Sequence, residues 1–110
     1  MTAIKSENQD SGWLLSDINW SKLDLTSVTP ELLAAVKTAA LVEANSGDYV
    51  IYLHNIFPND AEFKRLADIW GEEEVQHGAA LGRWAALVDP SFDFSSRVDH
   101  FRSLYQLPLN

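Results

Sequence analysis

The sequence predicts an all-α fold: an antiparallel hairpin of two long helices with short flanking helices. Three observations carry that prediction. Residues 30–57 contain no proline after Pro30, and residues 61–88 contain none at all. Between these runs, Phe57-Pro58-Asn59-Asp60 is a break short enough to turn one helix back on the other. Within the second run, apolar residues recur at threes and fours through Leu66, Trp70, Leu81, Trp84 and Val88, the period of a helix face.

Each element has a local reason. Residues 1–12 are polar and carry no apolar period, so they read as a flexible tail preceding a single helical domain over 13–110. Trp13, Leu14, Leu15, Ile18, Trp20, Leu23 and Leu25 are apolar anchors on a segment too interrupted for a major helix; it reads as a cap or a short helix starting near Ser16. Thr29-Pro30-Glu31 is a helix start, because the Thr29 hydroxyl can accept from free amides, Pro30 suits the first helical position and Glu31 favours the positive end of the dipole. The helix that follows, about 28 residues at ~1.5 Å each, would extend about 40 Å. One face of it reads Val36, Ala39, Ala40, Glu43, Gly47, Val50, His54 and Phe57. Glu43 is the odd residue there. Its small neighbours admit a second helix, and Gly47, about 1 kcal/mol worse than alanine in mid-helix, calls for a packing or site role. Asn59 or Asp60 can cap the second helix, which should stop at Asp89-Pro90 because the residue before proline disfavours helical backbone. A short helix over 95–105 carries Phe94, Val98, Phe101 and Tyr105 on one side.

Composition narrows the function. At 110 residues with 16 acidic against 8 basic side chains, the formal charge of −8 disfavours nucleic acid or an anionic membrane as the main partner. There is no cysteine, so any metal must be held by Glu, Asp or His, which favours iron or manganese. No apolar run approaches a membrane span and the first residues lack a signal-peptide core, so a cytoplasmic location is expected.

The chemistry concentrates at Glu74 and His77. Three residues apart on a helix, they project from one face about a turn apart, and that face is the apolar one. Ionisable groups on a core stripe must be paired, hydrogen-bonded or metal-bound. Glu43 lies about 15 residues before the turn and Glu74 about 16 after it, so an antiparallel hairpin sets both at matching height. Glu43, Glu74 and His77 therefore form a candidate metal-ligand set. Two alternatives stay open: Glu73, four before His77, as the ligand in place of Glu74, and a purely structural buried pair of Glu74 and His77 with each other and with Tyr49 or Tyr52, holding the hairpin together. Glu72 falls on the polar side with Asp68 and Gln76; His54 reads as a packing histidine and His100 as exposed.

Val42-Glu43-Ala44-Asn45 followed by Trp70-Gly71-Glu72-Glu73-Glu74-Val75-Gln76-His77-Gly78-Ala79-Ala80-Leu81 resembles the first half of the soluble acyl-carrier-protein desaturases and related ferritin-like di-iron proteins. In that family a helix glutamate is paired with Trp-x-x-Glu-Glu-x-x-His-Gly-x-x-Leu, and the match covers roughly residues 30–90. The resemblance implies half of a ferritin-like four-helix bundle and an oxygen-activating di-iron oxidoreductase. It implies Glu43 as a ligand to a single iron, Glu74 (not Glu73) as the bridging ligand and His77 as a ring-nitrogen ligand, with manganese fitting the same set. It also implies an acyl chain carried on a protein as substrate, and an electron donor.

The chain departs from the family pattern in one respect: a full site draws a second Glu and a second Glu-x-x-His from two further helices, and none follows His77. Three accounts are expected to compete: a missing C-terminal half, a homodimer in which each copy gives half the ligands, or an inactive remnant. A ferroxidase-type iron-binding dimer and a non-catalytic helical interaction module are the alternative functions.

Overall fold

The structure, a computed structural model, describes residues 13–105; the tail expected over 1–12 and the end of the chain from 106 lie outside the described residues. The described residues are all-helical, with no strand. Three 3₁₀ turns (Leu15–Asp17, Trp20–Lys22, Leu25–Ser27) lead into four α-helices: α1 (Pro30–Ala44), α2 (Ser46–Ile56), α3 (Ala61–Val88) and α4 (Phe94–Leu104).

The helix ends follow the local chemistry of the sequence. Thr29 Oγ1 accepts from Leu32 N at 3.0 Å with Pro30 in the first turn of α1, and Asp60 Oδ1 accepts from Phe63 N at 2.9 Å at the start of α3. Each such cap contributes about 1 kcal/mol. Helix α3 ends at Val88, where Asp89 turns extended and ion-pairs with Lys37 of α1 at 2.7 Å. That contact, with Ser91 also donating to Asp89, holds the Asp89 carboxyl down at about 2. Asp93 Oδ1 accepts from Ser96 N and starts α4 one residue before the expected position.

The single long helix expected over 30–57 is instead two. Helix α1 stops at Ala44, Asn45 sits at φ −91°, ψ 12°, and α2 begins at Ser46. Asn45-Ser46-Gly47-Asp48 places four weak helix formers in a row, three of them with side chains that compete for backbone groups. The competition is visible: Ser46 Oγ donates to the Glu43 carbonyl at 2.7 Å. The packing role expected for Gly47 is absent, since a Cβ there would meet nothing within 4 Å. Replacing it with alanine should stabilise the fold by about 0.5–1 kcal/mol through helix propensity alone, read as a raised denaturation midpoint.

The packing surface of α3 also differs from expectation. Its most buried line is Ala67, Gly71, Gly78, Gly82 and Ala85, all small. Leu66 and Trp70, expected on the core face, keep 50% and 38% of their surface. The reason is close helix approach: a Cβ on Gly78 would lie 2.6 Å from Ala44 N and 3.1 Å from Ala40 O, and one on Gly71 would collide with a Val50 methyl. With glycine at the contact, the large side chains flank the seam rather than fill it. The apolar core gathers toward the far end of α3, where Leu41, Ala85 and Phe92 are buried under Leu33, Val36, Trp84, Phe94, Val98 and Phe101. Helix α4 is tied to the first turn of α2 by a forked Arg102–Asp48 pair, with contacts of 2.8 and 3.0 Å.

Candidate metal centre

The helix break at Asn45 and the glycine seam both border the site. Glu43 is the penultimate residue of α1, and Gly78 lets Ala44 come against the turn of α3 that carries His77. Glu74 lies between Gly71 and Gly78 on the seam line itself. The consequence is a cluster in which one ligand atom from each of Glu43, Glu74 and His77 lies within 4.8 Å of the others. His77 Nδ1 is 3.3 Å from Glu43 Oε1 and 3.5 Å from Glu74 Oε1. Ligand atoms about 2.1 Å from one ion stand roughly 3–4 Å apart, so both separations suit a shared cation. Glu73 takes no part in this group, and Glu72 is exposed.

The charge distribution of the cluster would suit a cation. Among the described residues, Glu43 Oε1 and Asn45 Oδ1 are the buried side-chain oxygens left without a hydrogen bond, and both sit at the kink. The Glu43 oxygen has His77 Nδ1 beside it at 3.3 Å, a long contact. Burial pushes the Glu43 carboxyl above its ordinary value, the neighbouring Glu74 carboxyl pushes it further, and His77 opposes both. Two carboxylates held together at a partly buried place repel each other, His77 offsets part of that, and a divalent ion would offset more. Of the structural alternative, Glu74 and His77 do face each other at 3.5 Å, whereas the tyrosines pack elsewhere: Tyr49 stacks on Tyr52 and, edge-on, on Trp70 at 5.9 Å.

An apolar groove of about 430 Å³ opens from the cluster, walled by Tyr49, Trp70, Phe101 and Tyr105, with Glu43, Asn45 and Glu74 at its polar end. The remaining histidines stand apart. His54 Nε2 is 2.8 Å from Asp68 Oδ1 and ties α2 to α3, while His100 is exposed. The sequence reading missed three neighbours of the site. Asn45 falls inside a stretch whose pattern reads as one continuous helix. Gln76, assigned to the polar side, is half-buried and donates from Nε2 to the Trp13 carbonyl at 2.9 Å. Trp13 itself stacks on His77, with ring centroids 6.0 Å apart and planes 6° from parallel. Nothing in the local sequence connects residues 63 positions apart.

No protein-family model, curated protein or solved structure matches the chain. Among the described residues, no helix is long and apolar enough to cross a membrane.

Proposed function

We propose that this chain is an iron-binding ferritin-like protein, one half of a di-iron oxidoreductase site of the acyl-carrier-protein desaturase kind. The observation that carries the reading is the convergence of Glu43, Glu74 and His77 on one point, with a buried Glu43 oxygen that has no hydrogen bond. The pairing of Gly78 with Ala40 and Ala44, and of Gly71 with Val50, supports an antiparallel hairpin as the half-bundle. Iron, when bound, supplies the one-electron and dioxygen chemistry that side chains lack. The chain's own residues do the rest. Glu43 and Glu74 offer the charge that neutralises the ion, and His77 presents Nδ1 beside them. Tyr49, Trp70, Phe101 and Tyr105 give a half-open groove largely apolar walls, which suit a hydrocarbon chain. Manganese fits the same oxygen and nitrogen donors. A cytoplasmic setting, a protein-borne acyl substrate and an external electron donor go with this reading.

A second reading, a symmetric iron-binding or ferroxidase dimer, is favoured by the open face beside the site. Val42, Tyr49 and Leu66 are each about half exposed, and a shallow hollow floored by Ala34, Ala35, Thr38 and Ala39 runs up to Glu43. Small residues in such a hollow admit another helix closely.

The test is iron content after anaerobic loading, measured by elemental analysis on protein whose oligomeric state is determined in the same sample, beside a His77→Ala control. About one iron per chain in a dimer, lost in the control, supports the shared site. Iron bound by monomers and lost in the control supports a half-site completed by other helices. Iron content equal in parent and control removes both readings and leaves a helical interaction module.

A further inference from the structure

We propose that Trp13, clamped to α3 through Gln76, is a positioning residue that holds the His77 ring in the orientation a metal ion requires. This rests on the metal-binding reading above. His77 is on the flank of the seam, with 41% of its side chain exposed, so packing within the helix pair does not by itself fix the ring. A histidine in that place has several staggered rotamers available, and only one that keeps Nδ1 toward Glu43 and Glu74 is useful. Metal-ligating histidines are ordinarily fixed by a second contact, most often a hydrogen bond from the other ring nitrogen. Here the second contact is a face: the indole of Trp13 lies 6° from parallel to the imidazole.

The segment carrying Trp13 is anchored independently at two places. Gln76, the residue before His77, donates to the Trp13 carbonyl, which sets the backbone of the segment directly over the site. Further along, the Arg83 guanidinium lies 4.6 Å from the centroid of the Trp20 ring, and Trp20 Nε1 donates back to the Leu15 carbonyl. The stretch between the two tryptophans therefore runs along α3 from the level of His77 to that of Arg83. Its second anchor keeps it in place when the first is altered. A change at Trp13 thus reads the orientation of His77 rather than loss of the segment.

The experiment is a cobalt(II) titration, followed by visible absorption, of the parent, Trp13→Ala, Trp13→Phe and Gln76→Ala. Trp13→Ala is expected to weaken cobalt binding about ten-fold, the size found when outer contacts to metal ligands are lost. Trp13→Phe should recover most of it, since a flat ring is restored, and Gln76→Ala should fall between. Parent-like cobalt affinity in Trp13→Ala overturns the proposal, as does failure of Trp13→Phe to improve on it. A parent that binds no cobalt instead removes the metal-binding reading. The positioning role is then decided in metal-free protein by nuclear Overhauser contacts from the His77 ring to the Glu43 and Glu74 side chains. Their loss in Trp13→Ala upholds it, and their persistence overturns it.

Discussion

Gly78→Ala is expected to destabilise the protein by about 1–3 kcal/mol and to abolish metal binding in the same step. Helix propensity works the other way, since alanine in mid-helix is about 1 kcal/mol better than glycine. The added methyl, however, would sit 2.6 Å from Ala44 N and 2.9 Å from Ala44 Cα. These are backbone atoms of a neighbouring helix and cannot rotate aside, so α1 and α3 must separate. Overpacking of this kind outweighs the propensity gain. For a domain of this size the thermal midpoint should fall by about 5–15 °C. The functional loss follows from position: Gly78 adjoins His77, and Ala44 adjoins Glu43. Moving the helices apart therefore moves two ligands apart. Denaturation curves and iron content on the same preparation check both halves. A Gly78→Ala protein as stable as the parent and still loaded with iron would show that the seam does not set the ligand distance. Gly47→Ala, which has open space, is the matched control.

Glu43→Gln should separate stability from binding in the opposite sense: the metal-free protein becomes more stable at neutral pH while iron content drops to background. Burial first, and the Glu74 carboxyl second, raise the Glu43 carboxyl above its ordinary value near 4.5. A carboxyl raised on folding binds more protons in the folded state than in the unfolded one, so its contribution to stability falls as pH rises through the window between the ordinary and the raised value. Above that window the folded protein holds an unfavourable half-buried carboxylate. Glutamine keeps the shape and removes the charge. The stability difference between Glu43→Gln and the parent should therefore be largest at neutral pH and shrink toward the acid end of the window. Metal-free urea denaturation at several pH values measures it. A difference that is absent at neutral pH, or that grows on acidification, would mean that Glu43 is satisfied without a cation. Residues kept at a cost in stability are common at functional sites.

Much of this architecture is written in short-range chemistry. Thr29-Pro30 and Asp60 start helices because their side chains and backbone suit free amides, and Asp89-Pro90 stops one because proline restricts its predecessor. The helical period alone puts Glu74 and His77 on one face, and counting residues from the turn at Pro58 sets Glu43 level with them. Those inferences need only one turn of helix or one loop. The break after Ala44 was also written locally, in four weak helix formers and a serine three residues from the carbonyl it takes, but the helical period masked it. The tertiary structure decided what no local rule reaches. The separation of α1 and α3 is fixed by Gly78 against backbone, which turned the expected core residues Leu66 and Trp70 outward to flank the seam. Trp13 reached His77 across 63 residues of intervening chain from Gln76, a contact with no spacing signal. Period and capping specify a residue's face and a helix's ends; distances between helices, and therefore the geometry of the site, depend on which side chains meet across them.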